Sequence, residues 1–219
     1  MSKAIVSHGI GKLHKDMLDI AFPTFKAFAD RHGWDIYRCD EIGKARPAPW
    51  YKVQILLSLL ADYDEVLFLG ADTLIVDGRE DMVIPPECWQ ALVEHHTGDG
   101  YVPNTDVWLC RKPMIPILEK VWSMDKWLMH GWWEQAALME LMGYEVHQPC
   151  RKLGDFPTEL YNRTFFLDNS WNVHKWDKPQ PEHPRIQHAT MYPDRVSVMK
   201  AWAIEAQGWI NERVYQPTN

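Results

Sequence analysis

The sequence lacks the features that mark several large classes of protein. Its 219 residues include four cysteines, Cys39, Cys88, Cys110 and Cys150, which lie far apart and form no Cys-x-x-Cys pair. A zinc site on paired cysteines is therefore not expected, and buried free thiols are the ordinary alternative. No apolar run approaches the roughly 20 residues of a membrane helix. Residues 3–7 are too short an apolar stretch for a signal peptide. We therefore expect a cytoplasmic protein without a membrane span.

Excess positive charge and internal repeats are also missing. The net charge of −7 argues against a surface that binds polyanions throughout, although it leaves room for a local basic patch. No repeat is visible, and the length suits one domain with a sizeable core. Tryptophan, by contrast, is abundant, with 12 residues. We expect most of them in the core and two or three in a cleft, because aromatic rings pack on sugars and nucleobases.

The most informative segment is 65–77, which reads EVLFLGADTLIVD. The apolar run 66–69 predicts a buried strand of a parallel sheet. The run stops at Gly70, and Asp72 follows directly. A carboxylate at the carboxyl end of a central strand lies where open α/β sheets bind their ligands, and its oxygen atoms suit Mg²⁺ or Mn²⁺ held against a phosphate. The alternative is that Asp72 only forms a turn.

The amino-terminal part predicts a β-α-β unit. Residues 4–7 are predicted as a short apolar strand and 34–39 as the second strand, and between them apolar residues from Met17 to Ala29 recur at helical spacing. Gly33 ends that helix at the position that favours glycine. Further helices are predicted at 50–60, from 85, at 113–127, at 132–142 and within 192–215, strands at 101–104, 107–110 and 144–147, and a loop layer over the cleft at 151–184.

Five short phrases stand in an order that resembles metal-dependent glycosyltransferases of the GT-A fold. They are Pro49-Trp50-Tyr51-Lys52, the segment 68–75, Asn104-Thr105-Asp106, Trp133-Glu134-Gln135 and Ile186-Gln187-His188. The fungal α-galactosyl- and α-mannosyltransferases and the plant xyloglucan xylosyltransferases look most similar. The resemblance covers the first two thirds of the chain well and the last third through single residues. In those families the strand end reads Asp-x-Asp, whereas here Gly70 replaces the first Asp and only Asp72 is kept.

The resemblance implies an α/β fold with a Rossmann-like, mixed but mainly parallel sheet, flanked by helices and carrying a loop-rich carboxyl-terminal layer. It implies one domain over 1–219, with a nucleotide-binding half at 1–112 and an acceptor half at 113–219. Relatives of the secretory pathway carry an amino-terminal membrane anchor, which this sequence does not show. We therefore expect a bacterial or viral protein.

By the same resemblance, Asp72 and His188 are metal ligands. Imidazole and carboxylate together suit Mn²⁺, or Mg²⁺, better than Ca²⁺. Gly70 removes a carboxylate that relatives use near the ribose and the hydrated ion, so Asp77 or Asp106 is a candidate to compensate for it. The alternative for His188 is an ordinary surface histidine.

The resemblance also assigns residues that bind the nucleotide and the donor sugar. They are Ser7, His8 and Gly9 over the base, Lys52 at a phosphate, Gly70 and Ala71 at the strand end, and Asn104, Thr105 and Asp106 along the sugar. Relatives have glycine where Asp106 stands, so Asp106 changes specificity, accepts a sugar hydroxyl or only caps a turn. His8 alternatively caps a loop or is solvated, and Lys52 alternatively pairs with an acidic core residue. Four other basic residues are weaker candidates, because such side chains ordinarily lie on the solvent-exposed surface. They are Arg111, Arg151, Lys152 and Arg163.

Glu134 and Gln135 are the candidate catalytic residues. In relatives this pair opens the helix that faces the anomeric carbon, and Glu134 then acts as a base or as a stabiliser of the ion pair. The alternative is that Glu134 only caps a helix, where the dipole favours a carboxylate. The similar families retain the anomeric configuration, and retention needs no dedicated base, whereas inversion does.

The resemblance therefore predicts a metal-dependent glycosyltransferase, with three classes of hydroxyl acceptor left open. Its donor is a nucleoside-diphosphate sugar, and its acceptor is a glycan, a protein side chain or a modified DNA base. A phage-type enzyme acting on DNA would need a basic stripe with exposed aromatic residues beside the cleft. A different class remains as an alternative, because loss of the first Asp at Gly70 is compatible with a non-catalytic protein that only binds nucleotide sugars.

Overall fold

The computed structural model describes residues 1–97, 100–146 and 157–212. Its strands are β1 (Lys3–His8), β2 (Asp35–Cys39), β3 (Glu65–Leu69), β4 (Thr73–Ile75), β5 (Gln90–Thr97), β6 (Gly100–Arg111), β7 (Thr164–Leu167) and β8 (Ile186–His188). Its α-helices are α1 (Gly11–His32), α2 (Tyr51–Leu60), α3 (Ile115–Trp122), α4 (Trp133–Leu141), α5 (Glu159–Asn162) and α6 (Arg195–Glu212). Short 3₁₀ turns connect some of them.

A six-stranded sheet in the order β2-β1-β3-β6-β5-β7 forms the centre of the molecule. β1 pairs in parallel with β2 and β3, and β5 pairs in parallel with β7. β6 runs antiparallel to both of its neighbours. The mixed, mainly parallel sheet predicted from the sequence is therefore confirmed. A separate pair, β4 and β8, is antiparallel and places Thr73 opposite His188.

The sheet separates two hydrophobic cores because successive strand residues point to opposite faces. Ile5 and Leu67 pack on the face that α1 and α6 cover, whereas Val6 and Phe68 pack on the other face, against α2, α3 and α4. α1 ends as predicted: Gly33 has a φ of 73° and its N–H donates to the carbonyl of Ala29. The described residues form no helix of the length and apolarity needed to cross a membrane.

The strand β6 corrects the sequence-based prediction of two short strands at 101–104 and 107–110. It is one strand of 12 residues with an irregularity in its middle. Between the pairs Ala91–Leu109 and Val93–Asn104, β5 advances by two residues while β6 advances by five. The extra residues of β6 include Thr105 and Asp106. Bulges of this kind re-aim side chains and occur often beside active sites.

Other predicted elements also differ from the structure. The helix predicted from residue 85 is wrong, because Cys88 N–H donates to Pro85 O in a turn and β5 begins at Gln90. The single helix predicted at 113–127 is interrupted after Trp122. Within the predicted loop layer at 151–184, the described part contains α5 and the strand β7, so that prediction is wrong there.

Two predictions fall partly outside the described residues. Tyr144, Glu145 and Val146 form no strand, and His147, the last residue of the strand predicted there, lies outside the described part. Among the described cysteines, Cys39, Cys88 and Cys110 are free, as expected. Cys150, Arg151 and Lys152 are outside the described residues.

Candidate active site

A cavity of about 760 Å³ opens at the carboxyl ends of β1 and β3, the edge where α/β sheets bind ligands. Its walls are His8 at the end of β1, residues 70–72 after β3, residues 104–106 of β6, residues 131–135 at the start of α4, and His188 of β8. Three tryptophans line it, Trp132, Trp133 and Trp176, while Trp50 and Trp108 are fully buried in the core. The expectation of two or three tryptophans in a cleft is therefore confirmed, whereas six of the twelve, rather than most, are buried.

Most of the predicted site residues line this cavity. Those that do are His8, Lys52, Gly70, Ala71, Asp72, Asn104, Thr105, Asp106, Glu134, Gln135 and His188. Ser7 and Gly9 are not among its lining residues. Ser7 is fully buried within β1, and a Cβ atom on Gly9 would lie 2.7 Å from the carbonyl oxygen of His14. Gly9 therefore allows the loop to pack closely against α1.

A buried lysine organises one part of the cavity wall. Lys52 Nζ lies 2.8 Å from Asp106 Oδ1, 2.9 Å from Glu134 Oε1 and 3.2 Å from Thr105 Oγ1. Its three ammonium protons thus meet three oxygen atoms. Thr105 Oγ1 in turn donates to Glu134 Oε1 at 3.0 Å. We call these four residues the lysine cluster.

The charges of the lysine cluster support one another. Burial lowers the pKa of Lys52, but the carboxylates of Asp106 and Glu134 outweigh it and hold that pKa above its ordinary value. Burial by itself would raise the pKa of Asp106, but the positive charges of Lys52 and His188 outweigh it and lower this pKa to about 2. Burial raises the pKa of Glu134, which the contact with Lys52 offsets only in part. The ammonium group therefore remains charged and keeps Asp106 ionised.

Glu134 and Gln135 reach the cavity from the first turn of α4. Both side chains are buried, and Gln135 Oε1 accepts the backbone N–H of Thr105 at 3.3 Å. The preceding residue, Trp133, has a φ of 45°, and Met191 has a φ of 62°. Such values are costly for residues with side chains, and they concentrate at functional sites. In the described part of the chain, these two non-glycine residues with positive φ both line the cavity.

The pairing of β4 with β8 brings Asp72 and His188 together. His188 Nε2 lies 3.4 Å from Asp72 Oδ1 and 3.6 Å from Asp106 Oδ2. This nitrogen is buried and has no hydrogen-bond partner. The second oxygen of Asp72 faces Arg195 Nη1 at 3.3 Å. We call Asp72, Asp106 and His188 the histidine cluster; Asp106 belongs to both clusters, with one oxygen in each.

A relay of hydrogen bonds fixes the tautomer of the neutral His188 ring. The backbone N–H of Asp106 donates to Asn104 Oδ1 at 2.9 Å, so this side-chain atom must be an oxygen. Asn172 Nδ2 donates to the same oxygen at 2.8 Å. The amide oxygen of Asn172 therefore faces His188 Nδ1, 3.0 Å away, and Nδ1 carries the proton. In that neutral tautomer the lone pair of Nε2 is on the side of Asp72 and Asp106, where a metal ion would be held, or a proton when no ion is bound.

The electrostatics of the histidine cluster favour a bound cation. Burial lowers the pKa of His188, but Asp72 outweighs burial and raises it above its ordinary value. Burial by itself would raise the pKa of Asp72, but the positive charges of His188 and Arg195 outweigh it and lower this pKa below its ordinary value. The ligand atoms that Asp72, Asp106 and His188 offer lie within 4.8 Å of one another. Two carboxylates and a neutral imidazole suit Mn²⁺ or Mg²⁺.

A second histidine group behind this site was not found from the sequence. His95 and His174 stack with ring centroids 3.6 Å apart, and Asp177 Oδ1 lies 3.1 Å from His95 Nδ1. His174 Nε2 lies 3.0 Å from His188 Nδ1. Burial lowers the pKa of both His95 and His174, so both rings are neutral. His95 is about 80 residues away from His174 and Asp177 in the sequence, so no spacing pattern connects them.

The other candidates make contacts away from the cavity. Asp77 pairs with Arg79 at 2.9 Å. Arg111 is not solvated as expected, because it pairs with Glu65 at 2.6 Å. Arg163 is partly exposed and lies over the ring of Trp89.

Comparison with known proteins finds a similar fold in solved glycosyltransferase structures. No family model matches the chain, and no curated protein matches its sequence. A glycosyltransferase involved in glycosylation of the major capsid of PBCV-1 is 16% identical, with 93% of this chain and 100% of that chain covered and a TM-score of 0.69. GlyE of Streptococcus pneumoniae TIGR4 is 14% identical, with 100% of this chain and 66% of that chain covered and a TM-score of 0.63.

A third solved structure is the galactosyltransferase LgtC in complex with donor and acceptor sugar analogs. It is 12% identical, with 94% of this chain and 95% of that chain covered and a TM-score of 0.54. At these identities the similarity concerns the fold. The chain therefore has the mixed, mainly parallel α/β fold of the GT-A glycosyltransferases.

Proposed function

We propose that this protein is a metal-dependent glycosyltransferase that moves a sugar from a nucleoside diphosphate to a hydroxyl acceptor. The observation that carries the proposal is the meeting of Asp72 and His188 at the cavity wall, with His188 Nε2 buried, unpartnered and 3.4 Å from Asp72 Oδ1. The two residues come from distant parts of the chain, and they fit Mn²⁺ or Mg²⁺. When bound, such an ion supplies Lewis-acid charge neutralisation of the diphosphate leaving group.

The chain's own groups bind and orient the substrates. Lys52 holds Glu134 in place, and Glu134 Oε2 is buried without a hydrogen-bond partner, so it is the natural acceptor for a donor hydroxyl. Gln135 extends this polar wall. Trp132 and Trp133 offer apolar faces for a sugar ring. His8, at the end of β1, lies where the nucleotide base is expected.

We propose retention of the anomeric configuration. Inversion requires a base poised to deprotonate the acceptor. The carboxylates that line the described cavity, Asp72, Asp106 and Glu134, each face a cationic side chain. Burial lowers the pKa of His8 to about 4, which makes it a weak base. NMR of the product anomer tests this directly: an inverted product would contradict it.

Nucleotide release from a panel of UDP- and GDP-sugars with Mn²⁺ tests the function itself. The acceptor panel contains glycans, peptides and duplex DNA with hydroxylated bases. We expect turnover with one donor and a loss of at least about 100-fold in Asp72→Asn, because a Lewis-acid ion contributes several kcal/mol. Asp77→Asn is the matched control and retains activity, since Asp77 pairs with Arg79 away from the cavity. Tight nucleotide binding without turnover on any donor would instead support a non-catalytic binding protein.

The finer assignments made from the sequence stay predictions. They are the likeness to the fungal and plant families, the bacterial or viral origin, and the division of one domain at residue 112. A DNA acceptor has less support than a glycan or a protein, because the cavity cations Lys52 and Arg195 already pair with carboxylates.

A further inference from the structure

We infer that Asp106 is the third ligand of the proposed ion and that it takes over the role of the carboxylate that the strand end lacks at Gly70. This inference rests on the proposed function and concerns how this chain builds its metal site. A ligand has moved from one strand to the neighbouring strand, and the glycine at 70 is the change that makes room for it.

The register of β3 and β6 places the two positions side by side. Leu69 pairs with Val107 in this antiparallel ladder, and the Gly70 N–H donates to Asp106 O at 2.7 Å. Residues opposite each other in antiparallel strands direct their side chains to the same face, with Cβ atoms about 4.5–5.5 Å apart. Carboxylates at 70 and 106 would therefore serve the same space from two strands.

The space between the two positions is tight for two side chains at once. A Cβ atom built on Gly70 would lie 3.0 Å from Asp106 Cβ and 3.3 Å from both Asp106 Cγ and Oδ1. These contacts are closer than the roughly 3.5–4.0 Å at which carbon atoms pack well. An aspartate at 70 would also add a second negative charge within contact distance of the first, which is unfavourable.

Asp106 is oriented for a ligand role. Lys52 holds its Oδ1 at 2.8 Å, and Asn104 Oδ1 accepts its backbone N–H. These contacts leave Oδ2 facing His188 Nε2 at 3.6 Å, while Asp72 Oδ1 faces the same nitrogen at 3.4 Å. In an octahedral site with bonds of about 2.1 Å, neighbouring ligand atoms lie roughly 3 Å apart. The distances from His188 Nε2 to the two carboxylate oxygens, 3.4 and 3.6 Å, exceed that spacing by roughly half an ångström, and all three ligand atoms lie within 4.8 Å of one another.

The test is a swap of the carboxylate between the strands, measured as Mn²⁺ affinity from the electron paramagnetic resonance signal of free Mn²⁺. The four proteins are wild type, Asp106→Gly, Gly70→Asp and the double variant Gly70→Asp/Asp106→Gly. We expect Asp106→Gly to weaken Mn²⁺ binding at least about tenfold, since even outer contacts of metal ligands are worth 10- to 100-fold. The double variant should recover to within about threefold of wild type, and Gly70→Asp alone should melt at a lower temperature.

Controls separate this inference from the proposed function. Asp77→Asn should bind Mn²⁺ like wild type. If Asp106→Gly does not fold by circular dichroism, Asp106→Asn keeps the size of the side chain and should show the same loss. Wild-type affinity in a folded Asp106→Gly or Asp106→Asn overturns the inference while leaving the function intact, and so does a folded double variant without recovery. A wild type that binds no Mn²⁺ and transfers no sugar overturns both.

Discussion

The two clusters that share Asp106 differ in how completely their polar atoms are matched. In the lysine cluster, Lys52 Nζ reaches three oxygen atoms at 2.8, 2.9 and 3.2 Å. In the histidine cluster, the nearest oxygens to His188 Nε2 are at 3.4 and 3.6 Å, and the nitrogen has no hydrogen-bond partner. Lys52 and His188 are both buried, so the difference does not come from solvent at their nitrogen atoms.

This difference separates a structural role from a ligand-binding role. Buried polar atoms in proteins are almost always paired, so an exception calls for an explanation. The lysine cluster is complete within the chain and holds the cavity wall in one arrangement. The histidine cluster is held from outside, by Lys52, Arg195 and Asn172, while its central atoms converge without bonding one another. Such convergence is what a cation site needs.

The largest expected effect comes from breaking the complete cluster. Lys52→Met leaves the buried Glu134 and the partly buried Asp106 without their shared counter-charge. We expect the free energy of unfolding to fall by about 3–5 kcal/mol, the usual cost of removing one partner of a buried ion pair. Urea denaturation measures it. The control Lys26→Met removes an exposed i,i+4 pair with Asp30 and should cost less than about 1 kcal/mol. Equal stability of the two variants would show that the lysine cluster is not structural.

A smaller effect should follow from loosening the open cluster without touching a ligand. Asn172→Leu removes the amide oxygen that requires a proton on His188 Nδ1. The remaining partner of Nδ1, His174 Nε2, is an imidazole nitrogen that can donate as well as accept, so the His188 ring can place its proton on Nε2 instead. We expect Mn²⁺ affinity to fall by about 10- to 100-fold, measured by the same resonance titration. Asn169→Ala, an exposed asparagine nearby, is the control. Unchanged affinity in folded Asn172→Leu would contradict the proposed tautomer.

The smallest effect concerns His8, which lines the cavity beside Lys52. Burial lowers the pKa of His8 to about 4, whereas the unfolded value is 6.5. Between pH 4 and 6.5 the unfolded chain therefore binds more protons than the folded chain. As a result, the free energy of unfolding is highest above pH 6.5 and decreases as the pH falls through this window. The loss is at most about 2 kcal/mol between pH 7 and 5. His8→Gln should show a flatter urea-stability profile over this range, and the exposed His183→Gln should follow wild type.

The fold could be predicted where local patterns decide it. The β1-α1-β2 unit followed from helical spacing and from Gly33. The strand β5 was missed because the sequence Gln90–Thr97 lacks a clear alternation and Pro85-Pro86 resembled a helix start. The strand β7 was missed because four residues next to a short helix carry little periodicity.

The candidate site could be predicted only in part, because most of its contacts join residues that are far apart in the sequence. Asp72 and His188 were found through their resemblance to a known motif, since nothing local shows that β4 pairs with β8. The sequence left several roles open for Asp106. No sequence pattern reveals that its Cβ lies 3.0 Å from the position that a Cβ on Gly70 would take. Asn172 and His174 act through contacts with residues far along the chain, and such contacts leave no trace in spacing.

Anomalous X-ray diffraction from crystals soaked in Mn²⁺ tests the central claim most directly. We expect one strong peak in the cavity, at roughly 2.0–2.3 Å from an oxygen of Asp72, an oxygen of Asp106 and Nε2 of His188. A peak held by His95 and Asp177 instead, or bound ion that leaves Asp106 uncoordinated, would contradict it.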